Sequence, residues 1–310
     1  MTKIITLTLS PAFDVHCFCA DFKPFHENLA SVTSRDAGGK GVNISRALAL
    51  NGVENLAIVA LGEENAADFE GKLKADGIAY SPIYRAGRIR ENITLHTSNN
   101  PETRISFAGF STDESLLAEA DTIIGNDLSE TIITFTGRVP NGISMDAVKA
   151  FLKNLQAKGA RIVLDSKSFS AEDMLEVSPW LIKPNEEEIS DYTTHTVGSQ
   201  DDVIAAAREL SERGIENVMI SFGAKGAILS TAEGCYWAHP PKIEARSTIG
   251  AGDSSIAGFL AATAQGKAPK EALRTAIAFG TAACLTEGTL PPLPTDVETI
   301  FTAVNVEKIG

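Results

Sequence analysis

Short unbroken apolar runs alternate along this chain with segments of helical periodicity, and that alternation leaves few architectures open. The runs "KIITLTL", "ENLAIVAL", "ETIITFT", "ARIVLD", "WLIKP" and "ENVMIS" are spaced by "GVNISRALALNG", "ADFEGKLKADG", "SMDAVKAFLKNLQAKG" and "DDVIAAARELSERG". A strand apolar on both faces must be covered on both, and parallel neighbours need a crossover, usually a helix. The pattern predicts an α/β fold, a mostly parallel sheet flanked by helices, in a single domain over residues 1–310. Gly52, Gly77, Gly159 and Gly214 fall where left-handed caps would close four of the helices.

Two regions break the rhythm. Residues 12–34 and 88–108 hold "DVHCFCADF", "NLASVTS", "ENITLHTS" and "TRISF", β-like pieces with no helix between them. They predict a small antiparallel sheet standing off the main domain, a β lid whose exposed edge or face invites a homodimer. From Gly252 onward the chain reads as mostly helical.

A formal charge of −13 argues against nucleic acid and anionic membranes, both of which need a basic face. No stretch approaches the roughly 20 apolar residues of a membrane span. The run before Ser10 and Pro11 is too short for a signal peptide, so a cytoplasmic location is expected. Cys17, Cys19, Cys235 and Cys284 show no spacing for zinc or a disulfide framework. His16, His26, His96, His195 and His239 are scattered without metal-like spacing, and Trp180 and Trp237 sit in or beside β-like runs as packing residues.

The stretch "TIGAGDSSIAGF", 248–259, is the one that asks for chemistry. If Asp253 starts a helix, Gly250, Ala251 and Gly252 present backbone N–H groups at its positive end, and glycine admits an anion closely. The same residues also suit an ordinary turn with Asp253 as N-cap. No GxxxxGK[ST] is present, and no early GxGxxG supports a nucleotide-dependent oxidoreductase. Three further segments are punctuated in the same way. "DAGGKGVNISRALALNG" leads into a helix past Lys40 and Asn43; "IKPNEEEI" sets Asn185 and Glu188 three apart; "SFGAKGA" turns between strands. Singly each is a cap, an acidic helix start or a hairpin. Together they gather at strand ends, where parallel α/β sheets collect their ligands.

With these motifs the chain resembles the ribokinase-like (PfkB-type) carbohydrate kinases over nearly its whole length. The resemblance implies a catalytic base at Asp253 with an anion hole at Gly250, Ala251 and Gly252. It implies a first signature at Gly38, Gly39, Lys40 and Asn43, and an NxxE motif at Asn185 and Glu188, after Lys183, holding Mg²⁺ through water together with the phosphates of ATP. Ser221, Gly223 and Gly226 are similar to the nucleotide loop, and Cys284 falls where the family lines the adenine pocket. "TLTLSPAFD" and "GGKG" resemble the branch acting on sugar phosphates, which implies Asp14 and Asn43 on sugar hydroxyls and Arg90, with Lys40, on the existing phosphate. Fructose 1-phosphate is the first expected acceptor, and tagatose 6-phosphate or fructose 6-phosphate the second.

The pattern has departures. "TGRVPNG" puts Arg138 where the branch has a small serine, and "HENLA" puts Leu29 where a second basic residue is expected. Arg138 can supply the displaced charge, because a guanidinium takes phosphate in bidentate fashion. A catalytically idle sugar-phosphate sensor is the alternative from another class; Asp253, Asn185 and Glu188 all stand against it.

Overall fold

In the computed structural model, which describes residues 2–98, 102–193 and 199–309, the alternation becomes a ten-stranded sheet. Strand β1 (Lys3–Thr8) lies third from one edge, inside the sheet. The chain then leaves through β2 (Ala12–Cys19) and β3 (Ser31–Gly38), turns directly into α1 (Lys40–Leu50), and returns as β4 (Leu56–Gly62) beside β1. Helix α2 (Ala66–Ala75) crosses to β5 (Tyr80–Arg85) at one edge, before β6 (Arg90–Thr97) and β7 (Thr103–Ser106) leave the sheet again. Next α3 (Ser115–Ile124), β8 (Thr131–Thr136), α4 (Met145–Ala157), β9 (Arg161–Asp165), α5 (Ala171–Val177), β10 (Leu181–Ile182), α6 (Glu186–Tyr192), α7 (Gln200–Glu212) and β11 (Asn217–Ser221) extend it parallel in the other direction. Strand order thus reverses at β1, which makes its carboxyl end the topological switch point.

Beyond β11 the sheet turns antiparallel through β12 (Ala227–Thr231), β13 (Gly234–His239) and the last strand, β14 (Asn305–Lys308). Between β13 and β14 run α8 (Ala251–Ala264), α9 (Pro269–Ala283) and α10 (Pro294–Ala303). The C-terminal third is mostly helical, with an edge strand that its composition, "NVEK", does not announce. One face of the sheet packs Ile5, Leu7, Ile133 and Leu164 against α3 to α7; the other packs Ile4, Ile132 and Val163 against α1, α8 and α9.

The lid is a four-stranded sheet ordered β3-β2-β6-β7. Its two hairpins are antiparallel, but the seam between β2 and β6 is parallel, because two chain segments that both leave the main sheet in the same direction meet there. Strand β3 also runs on to Gly38, four residues past the expected boundary at 34. Phe13 fixes the lid's inner face, meeting Phe69 of α2 edge-on at 5.2 Å between ring centroids. In and beside the lid, Phe18, Val32, Ile105 and Phe107 are exposed. No described helix is long and apolar enough to cross a membrane. The four cysteines are free, Trp180 packs beside Phe259 and Trp237 stacks on His239, and His195 lies outside the described residues.

Candidate active site

The helix after the glycine stretch starts two residues earlier than expected. Gly250 is the N-cap, with φ of 79°, and Ala251 opens α8, so Asp253 sits in the first turn instead of capping it. The left-handed conformation at Gly250 is one that a β-carbon disfavours, and it lets the chain turn sharply into the helix. In the first turn of α8, Ala251 N reaches Thr248 O at 3.5 Å and Ser254 N bonds Gly250 O at 2.9 Å, while the N–H groups of Gly252 and Asp253 have no carbonyl behind them and point out of the helix end. Lys183, which follows β10, brings its ammonium over this end: a β-carbon on Gly252 would lie 3.0 Å from Lys183 Nζ. Glycine at 252 thus lets the cation and the helix terminus share one space without displacing the lysine.

Asp253 is buried, and its Oδ2 accepts a hydrogen bond of 2.9 Å from Asn43 Nδ2 on α1. Burial pushes its carboxyl up to about 6; nearby Lys40 pulls it back and Asp165 adds to the rise. A carboxyl in that range is poised to accept a proton near neutral pH.

Asp165, at the carboxyl end of β9, is the member that motif reading missed. Lys40 Nζ meets its Oδ1 at 2.9 Å and Lys183 Nζ stands 3.9 Å from its Oδ2. Burial alone would raise the Asp165 carboxyl, but the charges of Lys183 and Lys40 outweigh it and hold it below the ordinary range. Lys40 shows the mirror image: burial works against its charge, and Asp165 and Asp253 more than restore it. Asp165 Oδ2 is buried with no hydrogen-bond partner. A signal existed in the sequence, since "RIVLD" ends an otherwise apolar strand on a carboxylate.

Asn185 and Glu188 are brought together as a capping box at the start of α6. Asn185 Oδ1 accepts from the N–H groups of Glu187 and Glu188 at 2.9 and 2.8 Å, and Glu188 Oε2 accepts from Asn185 N at 3.1 Å. Lys167 Nζ takes the other oxygen, Oε1, at 3.1 Å. The same residues thus answer the bland expectation of an acidic helix start and still face the site. Ser221 bridges backbone to backbone with Asn185, which places the 221–226 turn beside it. That turn is a short 3₁₀ segment, Gly223–Lys225, and Gly226, at φ of 96°, lies so close to the Ala238 carbonyl that no β-carbon fits. Cys284 ends α9 half-buried, its thiol donating to Gly280 O at 3.4 Å.

A second set of charges lies under the lid. Asp14 on β2 accepts from Asn92 Nδ2 at 3.0 Å, and its carboxylate occupies the space that a β-carbon on Gly38 would fill. Burial raises the Asp14 carboxyl, with Asn92 and the charges of His16, Arg46 and Arg90 opposing. Arg90 donates from Nη1 to Asn92 Oδ1 at 3.1 Å, while its Nε is buried without a partner. Burial, then the like charge of Arg138, weaken the Arg90 guanidinium's hold on its proton, and Asp14 supports it. Arg138 within electrostatic reach of an Arg90 that keeps an unused donor makes a place for an anion. Gly39, with φ of 118°, joins this lid set to α1, and a side chain there would strike Thr8.

Known proteins resemble the chain closely enough to interpret these sets. Residues 12–296 match the family described as pfkB family carbohydrate kinase. The 1-phosphofructokinase of Escherichia coli (strain K12) is 31% identical over 280 residues, covering 89% of each chain. That of Bacillus subtilis (strain 168) is 30% identical over 288 residues, covering 92% of this chain and 93% of its own. The crystal structure of Escherichia coli phosphofructokinase-2 in complex with fructose-6-phosphate superposes with a TM-score of 0.90 at 25% identity, covering 98% of this chain and 99% of that one.

Proposed function

The chain belongs to the pfkB family of carbohydrate kinases and is an ATP-dependent sugar kinase, and from that premise we propose that its acceptor is a phosphorylated ketohexose, fructose 1-phosphate first, giving fructose 1,6-bisphosphate. The carrying observation is the Arg90–Arg138 pair, with its buried unpartnered Nε, beside the sugar-side carboxylate Asp14. A free sugar offers those guanidiniums only neutral hydroxyl oxygens; a phosphate offers them charge and a bidentate partner. Relatives named 1-phosphofructokinase support the 1-phosphate. The phosphofructokinase-2 likeness supports fructose 6-phosphate as the second reading, alongside tagatose 6-phosphate.

ATP supplies the phosphoryl group, and Mg²⁺ neutralises the phosphate oxygens around it. Among the described residues no three His, Cys, Asp or Glu side chains form a metal cage. The donors present fit magnesium that keeps its water and comes with phosphates: Glu188 and Asn185 border the site, and Asp165, whose Oδ2 accepts no hydrogen bond, lines with Glu188 and Lys183 a small cavity of about 10 Å³, room for one water. Asp253 takes the proton of the attacking sugar hydroxyl through the oxygen that Asn43 leaves open. The N–H groups of Gly250, Ala251, Gly252 and Asp253 stabilise charge on the transferred phosphoryl. Lys183 and Lys40 serve the same group, because their ammoniums sit at Asp165 and the α8 terminus. This moves Lys40 from the distal phosphate, which falls to Arg90 and Arg138. Asp14 and Asn43 orient hydroxyls, with Gly38 and Gly39 allowing the close approach. Ser221, Gly223, Gly226 and Cys284 line the nucleotide side.

The reading extends to a cytoplasmic homodimer through the lid, whose exposed Phe18, Val32, Ile105 and Phe107 suit a second copy. An ADP-release assay over phosphorylated and free sugars, with and without Mg²⁺, tests the whole, with ³¹P NMR identifying the product. Turnover confined to free sugars removes the role of Arg90 and Arg138; none on any sugar returns the chain to a sensor.

A further inference from the structure

The chemistry above leaves a histidine pair at the rim of the lid unused. His16 on β2 and His96 on β6 hold their rings within 10° of parallel, and His16 Nδ1 lies 2.9 Å from His96 Nε2. His96 Nδ1 in turn faces Glu102 Oε2 at 3.6 Å, and Glu102 is held by Arg104 at 2.8 Å. At the other end the buried His16 reaches across to the main domain: a β-carbon on Gly288 would lie 3.2 Å from His16 Nε2. Gly288 belongs to the loop whose carbonyl accepts from Ser247 Oγ at 3.1 Å, and the Cα of its neighbour Thr289 lies 3.8 Å from where a β-carbon on Gly250 would stand. The pair, carried on two lid strands, therefore faces a loop of the main domain that abuts the N-cap of α8. All of it borders a cleft of about 750 Å³ between lid and body.

An imidazole–imidazole hydrogen bond contains one proton. Neutral or singly charged, the pair satisfies it; doubly charged, two N–H groups face each other and two cations adjoin. A first proton is best placed on His96, between His16 and the Glu102 carboxylate. A second, on His16, has no acceptor left at His96.

We propose that Glu102, His96 and His16 form a proton-dependent latch, in which the singly bonded pair holds His16 against the Gly288 loop and a second proton releases the lid from the body. Asp14 and Asp36 on neighbouring lid strands, and Glu287 across the cleft, favour that proton; Arg104 and Arg246 oppose it. The latch rests on the kinase reading only in that the lid closes over the sugar phosphate. His16 acts as a positioning residue, distinct from the base at Asp253.

The test uses ligand-free protein first. Amide hydrogen exchange of residues 286–290, corrected for intrinsic rates, is compared at the two ends of the range where histidines change charge, about pH 5.5 and 8. Wild type is expected to lose protection about tenfold on acidification, and His96→Gln, whose amide replaces Nε2 without titrating, to keep it at both values. With the accepted sugar phosphate, KM rises about tenfold at low pH in wild type but not in His96→Gln, while the acid limb of kcat is shared. In wild type, imidazole ¹⁵N spectra show the two rings titrating in linked steps. Equal pH dependence of protection in both proteins, or two independent titrations, overturns the latch. A protein that turns over no sugar phosphate defeats the kinase reading while the exchange and NMR data still decide this one.

Discussion

Asn43 and Asp253 stand 210 positions apart in sequence and 2.9 Å apart in space, the amide of one fixing an oxygen of the other. The bond sets which carboxylate oxygen is left for a proton. It also joins α1, which carries the lid's connection, to α8, whose N-terminus is the proposed phosphate seat.

Asp253→Asn keeps an acceptor for Asn43 and removes the base. The rate is expected to fall about 10²- to 10⁴-fold with the fold intact. The wild-type carboxyl is raised to about 6, so the folded protein binds more protons than the unfolded chain between its ordinary pKa and 6, and stability falls as pH rises through that window. Above it, Asp253→Asn is more stable by about 3 kcal/mol; below about pH 4 the advantage is gone. Thermal melts at pH 4 and 8 check the sign.

Asp165→Asn removes a negative neighbour of Asp253 and releases Lys40 toward it. Both changes favour the charged form of Asp253, so the acid limb of kcat, near 6 in wild type, moves to lower pH. Profiles are compared after allowing for the substrate phosphates' own titration near pH 6. The two lysines lose their shared partner, and stability drops by about 3 kcal/mol.

Arg90→Ala and Arg138→Ala each remove a charged donor to the acceptor's phosphate. KM for the sugar phosphate should rise about 10- to 100-fold, with KM for ATP little changed. Steady-state kinetics with each substrate varied in turn show the split.

Gly38→Ala puts a methyl where the Asp14 carboxylate lies. The carboxylate must swing off Asn92, so sugar-phosphate KM rises about tenfold while nucleotide binding, followed by calorimetry, is kept.

The parallel core was legible because its strands are buried on both faces and must be apolar throughout. Gly250 to Asp253 and the Asn185–Glu188 box were legible because a helix terminus needs those residue types at that spacing. Asp165 was not, since one carboxylate closing "RIVLD" looks like a strand end until Lys40 and Lys183 arrive from distant segments. The parallel seam between β2 and β6 was hidden for a related reason: local sequence says that a strand exists, not which distant strand it meets. "NVEK" becomes β14 only because β13 offers it an edge.

One residue, Gly39, separates the end of β3 from the start of α1. Because α1 packs on the main sheet, a lid that tips open about that point draws Asp14 and Arg90 away from Lys40 and Asn43, which stay with the body beside Asp253. Admission of the acceptor and assembly of the reactive centre are then a single mechanical event, and an unclosed enzyme leaves its nucleotide intact.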